Sequence, residues 1–141
     1  NLFTERLAAK QLMPIGPKRD HLLVETSYFQ PPIDFHETLK RIQGIGYTPI
    51  LAHPERYIYM EDSHYEQLVA MKVKLQLNIV SLVGAYGRPA QEKAQMLLSK
   101  GYYSFFGSDL HRLRAFMAGV NVKGLKKEQV AQLAGIQNMI L

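Results

Sequence analysis

The sequence predicts an α/β protein whose core is a parallel sheet of about four strands. Short apolar runs alternate with amphipathic segments at intervals of roughly 25 to 30 residues, the order typical of βαβ units. Proline, glycine and helix-capping residues separate these segments. With 141 residues and 47% hydrophobic content, the chain is long enough for one domain with a core and too short for two ordinary ones.

Four apolar runs have the length and composition of buried strands. Each is bounded by residues that favour turns or helix starts, which sets its limits in the sequence. The predicted strands are "HLLVETSY" (21–28), "YTPILAH" (47–53), "KLQLN" (74–78) and "YYSFFGSD" (102–109).

Start and stop signals of helices lie between these runs. Two residue pairs have the spacing of a capping box, Asp34 with Glu37 and Ser63 with Glu66, and Pro89 suits the first turn of a third helix. Glycines suit the helix ends, at Gly44 or Gly46 and at Gly101. The tail has apolar spacing that predicts a closing helix, with one side formed by Val130, Leu133, Ala134, Gln137, Ile140 and Leu141.

The first residues predict a helix whose preceding strand is not in the sequence. Residues 1–16 have the character of the helical half of a βαβ unit, and Asn1 is not an initiator methionine. We therefore expect a chain with a truncated start.

Composition narrows the class of protein. No apolar run reaches the roughly 18 to 20 residues of a membrane span, and the charged start does not suit a signal peptide, so we expect a soluble cytoplasmic protein. Without cysteine, disulfides, cysteine-ligated zinc and a cysteine nucleophile are excluded.

The positive charges that give the net charge of +5 are scattered along the sequence, which disfavours a nucleic-acid partner and suits a small anionic substrate. The sequence has neither a GxGxxG nor a GxxxxGK[ST] motif.

Unusual polar residues stand at the end of each predicted strand. Glu25, His53, Asn78 and Asp109 belong to the four runs in turn, and His111 follows Asp109 at a spacing of two. Because the carboxyl ends of parallel strands meet on one face, these side chains should form one cluster. Carboxylates and imidazoles suit zinc, manganese or iron, and a carboxylate can bridge two ions. Alternatively, each residue only satisfies a nearby backbone group.

Further polar residues follow the second and third strands. Pro54 turns the chain out of the sheet, so that Arg56 can swing back over the metal face, where its paired donors suit a phosphoryl group. Alternatively, Arg56 pairs with a carboxylate such as Glu55, which itself either supports a ligating imidazole or is exposed. Small residues in the loop 78–87 allow a ligand to approach, and its candidate lining residues are Asn78, Ser81 and Tyr86. A purely structural role is the alternative for this loop.

Four segments carry a more specific pattern, in order: "LVETSY", "PILAHPERY", "QLNIVSLVGAYG" and "GSDLH". They resemble bacterial CpsB/CapC-type protein-tyrosine phosphatases of the polymerase and histidinol phosphatase (PHP) superfamily. The resemblance implies a distorted TIM-like (β/α) barrel and divalent metal ions, most often manganese, with iron, zinc or magnesium as alternatives. It also implies that a metal-activated hydroxide hydrolyses phosphotyrosine on the tyrosine kinase that regulates capsular or exopolysaccharide synthesis.

The resemblance also implies roles for individual residues. Glu25 corresponds to the carboxylate that bridges two metals, and His53 to a ligand of one of them. Asp109 and His111 correspond to metal ligands at the catalytic end of the last strand. Arg56 corresponds to a catalytic arginine that binds the phosphate.

The sequence differs from the family pattern in two places. The H-x-H strand and the further His and Glu of the family's N-terminal half have no counterpart here, so we expect residues 1–141 to be the C-terminal half of a single phosphatase domain with an incomplete metal site. Where the family has a second phosphate-binding arginine this sequence has Phe116, so the candidates become Arg112 and Arg114.

Two other functions remain open from the sequence. One is a small-molecule phosphoesterase such as a histidinol phosphatase. The other is a catalytically silent domain that binds a partner, or a second copy of itself, through the surface that half a barrel leaves uncovered. The expected partner under the first hypothesis is a phosphotyrosine-containing protein.

Overall fold

The described part of the protein contains one parallel sheet. The structure is a computed structural model, and it describes residues 14–107 and 125–136. The sheet has the order β1-β2-β3-β4, and every neighbouring pair is parallel. The predicted class, with four parallel strands alternating with helices, is confirmed. The strands are β1 (His21–Val24), β2 (Thr48–Ala52), β3 (Lys74–Asn78) and β4 (Tyr103–Gly107).

Helices separate the strands along the chain. They are α1 (Phe35–Gly44), α2 (Asp62–Ala70), α3 (Arg88–Ser99) and α4 (Lys127–Ala134), with short 3-10 turns at Pro54–Arg56 and Ile79–Val83. Within the ranges the structure describes, no helix has both the length and the apolar character needed to cross a membrane. Helix α4 confirms the closing helix as far as residue 134, and the predicted positions Gln137, Ile140 and Leu141 lie outside the described residues.

The predicted first helix is partly outside the described residues and partly wrong. Residues 1–13 are not described. Ile15 forms an antiparallel bridge with His21, with N···O distances of 2.8 and 3.2 Å. The chain is therefore not helical at Ile15, because its backbone groups pair with the start of β1.

The central strands carry the core. Strands β2 and β3 are buried at four successive positions each, as expected of parallel strands covered on both faces. Leu51 and Leu75, which pair across them, have no exposed surface. Helix α1 packs its buried positions Leu39 and Ile42, three residues apart, into the same core. The strands that lead to the site described below are therefore packed in the core.

Both predicted capping boxes are wrong. Asp34 precedes α1 in a left-handed conformation, with φ 58°, and its side chain makes no capping hydrogen bond. Helix α2 begins earlier than predicted, after Glu61, and the Glu61 N–H donates to Nδ1 of His64 at 2.8 Å. Histidine in this role lies outside the usual Ser/Thr-x-x-Glu/Gln pattern, so the sequence signal pointed to Ser63 instead.

Three helices end in the same way. After α1, α2 and α3 the chain makes the paired 6→1 and 5→2 hydrogen bonds of a Schellman motif, whose central residue has a positive φ. Two of these residues are the predicted stops Gly46 and Gly101, at φ 97° and 71°. The third is Lys72, at φ 63° after α2. A lysine therefore occupies a conformation that glycine adopts without cost.

We expect Lys72→Gly to stabilise the protein by about 1 kcal/mol, because it removes the left-handed penalty of a residue with a Cβ. Lys72 is exposed, so little packing is lost. The measurement is the free energy of unfolding from chemical denaturation. Gly101→Ala is the matched control: a Cβ there meets no atom within 4 Å, so a loss of about 1 kcal/mol would isolate the conformational effect. A destabilised Lys72→Gly would contradict the argument.

Candidate metal and phosphate site

The carboxyl ends of β1, β2 and β3 meet at one edge of the sheet. Glu25 and His53 directly follow β1 and β2, and Asn78 is the last residue of β3. The His53 N–H donates to the Gln76 carbonyl at 2.8 Å, which continues the pairing of β2 with β3 up to the site. The structure thus brings these three predicted residues to one face, because the strands are parallel and in register.

Glu25 and His53 face each other. Oε1 of Glu25 lies 3.4 Å from Nε2 of His53, with the His53 side chain 13% exposed and the Glu25 side chain 59% exposed. Burial lowers the pKa of His53, and although the Glu25 carboxylate opposes this shift, the neighbouring Arg56 adds to it. The neutral imidazole that results is the form that binds metals. Nδ1 of His53 is buried and has no hydrogen-bond partner among the described residues.

The backbone at His53 is unusual and sets the direction of the side chains that follow. His53 has φ 37° and ψ 58°, in the left-handed region, where a residue with a Cβ is strained. Pro54 then begins the 3-10 turn, which the Arg56 N–H closes on the His53 carbonyl at 3.0 Å. The turn leaves the sheet at once, as predicted from Pro54, with His53 directly before it and Arg56 as its last residue.

Arg56 lies between aromatic side chains at the same edge. Its Cζ is 4.4 Å from the ring centroid of Tyr28 and 3.8 Å from that of Tyr86. Its Nη1 donates to the Tyr28 hydroxyl at 3.3 Å. Such contacts between cations and aromatic rings contribute roughly 0.5–2 kcal/mol each and restrict the guanidinium without neutralising its charge. No ion pair of Arg56 with a carboxylate occurs among the described residues.

The sequence left two alternatives for Glu55, a carboxylate that supports a ligating imidazole or an exposed one, and the structure shows neither. Glu55 is 1% exposed, and its carboxylate accepts hydrogen bonds from residues other than His53. The donors are the Ser81 hydroxyl at 2.8 Å, the Tyr103 hydroxyl at 2.8 Å and the Asn78 N–H at 3.1 Å. Burial raises the pKa of Glu55 to about 7, against the effect of these donors. The carboxyl group lies beneath the site, because the 3-10 turn points it into the sheet.

Asn78, Ser81 and Tyr86, the candidate lining residues of the loop 78–87, do not all face the same way. The Asn78 amide donates to the Tyr86 hydroxyl at 3.2 Å, which links the end of β3 to the ring beside Arg56. Ser81 has no exposed surface and its hydroxyl is directed at Glu55, so it supports the site from below and does not line its surface. The loop also contains a 3-10 turn, Ile79–Val83, which the Asn78 side chain caps by accepting from the Val80 N–H at 3.3 Å.

Sequence reasoning did not single out Tyr28. Its hydroxyl is 3.4 Å from Nε2 of His53, besides the bond from Arg56, and its ring stacks on Tyr57 at 5.7 Å between centroids. The Ile58 N–H donates to the Tyr28 carbonyl at 2.9 Å, so the chain after β1 is fastened to the chain after β2. The feature of the sequence that could have identified it is its position three residues after Glu25, in the same predicted strand.

The remaining predicted residues, Asp109, His111, Arg112 and Arg114, lie outside the described residues. Within residues 14–107 and 125–136 no group of three or more potential metal ligands occurs. Glu25 and His53 nevertheless fit one ion: two ligands about 2.1 Å from a metal, at angles of 90° to 110°, are about 3.0 to 3.4 Å apart. The observed 3.4 Å is in that range.

Comparison with known proteins identifies the family of the chain. A family model described as "Capsular polysaccharide synthesis, CpsB/CapC" matches residues 3–119. The chain is 27% identical over 110 residues to the tyrosine-protein phosphatase YwqE of Bacillus subtilis. It is 28% identical over 118 residues to the candidate tyrosine-protein phosphatase CapC of Staphylococcus aureus. These matches cover 77% and 80% of this chain and 43% and 46% of the relatives, so the chain spans less than half of their length.

A solved structure shares the fold. It comes from crystal structures of YwqE from Bacillus subtilis and CpsB from Streptococcus pneumoniae, which are described as metal-dependent tyrosine phosphatases. The TM-score is 0.72 at 24% identity, and the likeness covers 96% of this chain and 61% of that chain. The likeness confirms the predicted fold class. Because the family model extends over most of the sequence, the chain belongs to the CpsB/CapC family of capsular polysaccharide synthesis.

Proposed function

We propose that this chain is the C-terminal half of a single domain that hydrolyses phosphotyrosine with the help of divalent metal ions. The observation that carries the proposal is the meeting of Glu25, His53 and Arg56 at one sheet edge, which places two potential metal ligands beside an arginine without a carboxylate partner among the described residues. The names of the relatives support this activity over a histidinol phosphatase or a silent domain.

Glu25 and His53 would hold a divalent metal from this half of the domain. Such a metal supplies Lewis-acid polarisation of the phosphoryl group and a reactive water at neutral pH. His53 is suited to ligation because burial lowers its pKa and so favours the neutral imidazole that binds metals. Glu25 is more exposed and has a second carboxylate oxygen for another ion, which fits the bridging role implied by the resemblance. Asp109 and His111 remain predicted ligands.

Arg56 would bind the phosphoryl oxygens through its N–H groups. Among the described residues its guanidinium contacts the rings of Tyr28 and Tyr86 and forms no ion pair with a carboxylate that would neutralise its charge. A planar fork of donors can contact two phosphate oxygens at once and stabilise the charge that develops during transfer. Asn78 would position Tyr86. Arg112 and Arg114 remain predicted candidates for a second phosphate contact.

The physiological setting is part of the same proposal. The substrate would be phosphotyrosine on the bacterial tyrosine kinase that controls capsular or exopolysaccharide synthesis, and the metal would be manganese before iron, zinc or magnesium. We also propose that the protein is cytoplasmic and can form a homo-oligomer. The capsule link is supported by the description of the matching family.

The proposal is tested on the full-length protein that contains this chain. We expect hydrolysis of a phosphotyrosine peptide with added Mn²⁺, loss of activity with a chelator, and recovery when metal is returned. The comparison substrate is histidinol phosphate. A preference for histidinol phosphate would favour the small-molecule alternative, and activity indifferent to the chelator would overturn the metal-dependent mechanism.

A further inference from the structure

The most unusual buried group outside the expected metal and phosphate contacts is the carboxyl group of Glu55. We propose that Glu55 is a positioning residue for Arg56, and that it acts by fastening the Pro54–Arg56 turn to the end of β3 and the start of β4. The carboxyl group of Glu55 is buried and bonded to Asn78, Ser81 and Tyr103, so we assign it no direct contact with metal or substrate. The inference rests on the proposed function only for what Arg56 does, since the arrangement itself is visible in the contacts.

The hydrogen bonds of Glu55 join three strands. Oε1 accepts from the Asn78 N–H at 3.1 Å and the Ser81 hydroxyl at 2.8 Å, both at the end of β3. Oε2 accepts from the hydroxyl of Tyr103, the first residue of β4, at 2.8 Å. Glu55 itself follows β2 in the turn. All three bonds lie in the interior, where a hydrogen bond left unmade is costly, so the turn has little freedom to shift.

A second connection runs from Glu55 to the guanidinium of Arg56. Asn78, whose N–H donates to Glu55, donates through its side chain to the hydroxyl of Tyr86 at 3.2 Å. The Tyr86 ring lies 3.8 Å from Cζ of Arg56. The same carboxyl group therefore fixes the backbone that carries Arg56 and the residue that holds its aromatic neighbour. The position of the Arg56 guanidinium matters for the reaction, because a displacement of about 1 Å can cost about 100-fold in rate.

The turn is also held on its other side. The hydroxyl of Tyr65, a buried residue of α2, donates to the Pro54 carbonyl at 3.0 Å. This bond would remain when Glu55 is changed. A loss of function in a Glu55 variant can therefore occur in a folded protein, and it would reflect the position of Arg56 more than the existence of the turn.

The test is a double-mutant cycle of Glu55→Gln and Arg56→Ala in the full-length protein with Mn²⁺. Glutamine preserves the volume of the side chain and removes one acceptor. With Arg56 present, we expect Glu55→Gln to lower kcat/KM for a phosphotyrosine peptide by about 10-fold or more, mainly through kcat. With Arg56→Ala, the same change should cost less than about 3-fold. An equal loss in both backgrounds would show a general structural effect and overturn the proposal.

A second readout does not depend on activity. The Nε–H resonance of Arg56, assigned by its loss in Arg56→Ala, should shift or broaden in Glu55→Gln and stay in place in Glu66→Gln, which changes an exposed glutamate. An unmoved resonance in Glu55→Gln overturns the positioning role. A moved resonance in a protein without phosphatase activity would support positioning and contradict the proposed function. If Glu55→Gln does not fold, Tyr103→Phe, which removes a single donor to Oε2, replaces it in both measurements.

Discussion

His53→Ala is expected to abolish most metal-dependent activity of the full-length protein. The imidazole is more buried than the Glu25 carboxylate beside it, and burial lowers its pKa, which favours the neutral form. Removal of a residue that merely supports a ligand costs 10–100-fold in metal affinity or activity, so we expect the loss of a direct ligand to exceed about 100-fold in kcat/KM. The measurement combines peptide hydrolysis with Mn²⁺ affinity by calorimetry.

The matched control for that change is His36→Ala. His36 is an exposed histidine of α1, and we expect its replacement to leave both metal affinity and kcat/KM unchanged. If His53→Ala bound Mn²⁺ as tightly as the unchanged protein, the assignment of this imidazole as a metal ligand would be wrong.

Arg56→Ala is expected to lower kcat/KM by about 100- to 1,000-fold, the usual cost of losing one donor that stabilises developing charge. Inhibition by inorganic phosphate should weaken as well, because the same N–H groups bind the ground state. Arg56→Lys should recover only a part of the activity, since a lysine keeps the charge but lacks the planar fork and its contacts with Tyr28 and Tyr86.

Arg88→Ala is the control for the loss of positive charge alone. Arg88 is an exposed arginine at the start of α3 that pairs with Glu92 at 2.8 Å. We expect the variant to keep both kcat/KM and the inhibition constant for phosphate. Comparable losses in the Arg88 and Arg56 variants would indicate a general electrostatic effect and not a specific phosphate contact.

The positions of Glu25, His53 and Asn78 could be predicted because they follow from local pattern and topology. Each apolar run ends in a polar residue, and parallel strands place such ends together whatever the details of packing. The strand at 74–78 was predicted with its observed limits, while the run at 21–28 was too long, because only His21–Val24 pairs with β2. Beyond Val24 the chain leaves the ladder towards the site.

The supporting contacts could not be predicted in the same way. The partners of Glu55 are 23, 26 and 48 residues away in sequence, and nothing local distinguishes a buried glutamate in "HPERY" from an exposed one. The role of Tyr28 depends likewise on residues 25 and 28 positions away. Such contacts are decided by the tertiary arrangement of the strands. The wrong capping box at Ser63 is a smaller case: the residue that accepts the N-cap hydrogen bond of α2 is His64, which is uncommon in a capping box.

The backbone conformation of His53 has a consequence for how this protein can evolve or be engineered. A left-handed residue with a Cβ costs of the order of 1–3 kcal/mol, and glycine at this position would recover part of that energy. Selection for thermal stability alone would therefore favour the loss of the imidazole, and selection for the proposed activity would retain it. At this position stability opposes the proposed function, so a stabilised variant of the protein should be sought elsewhere in the chain.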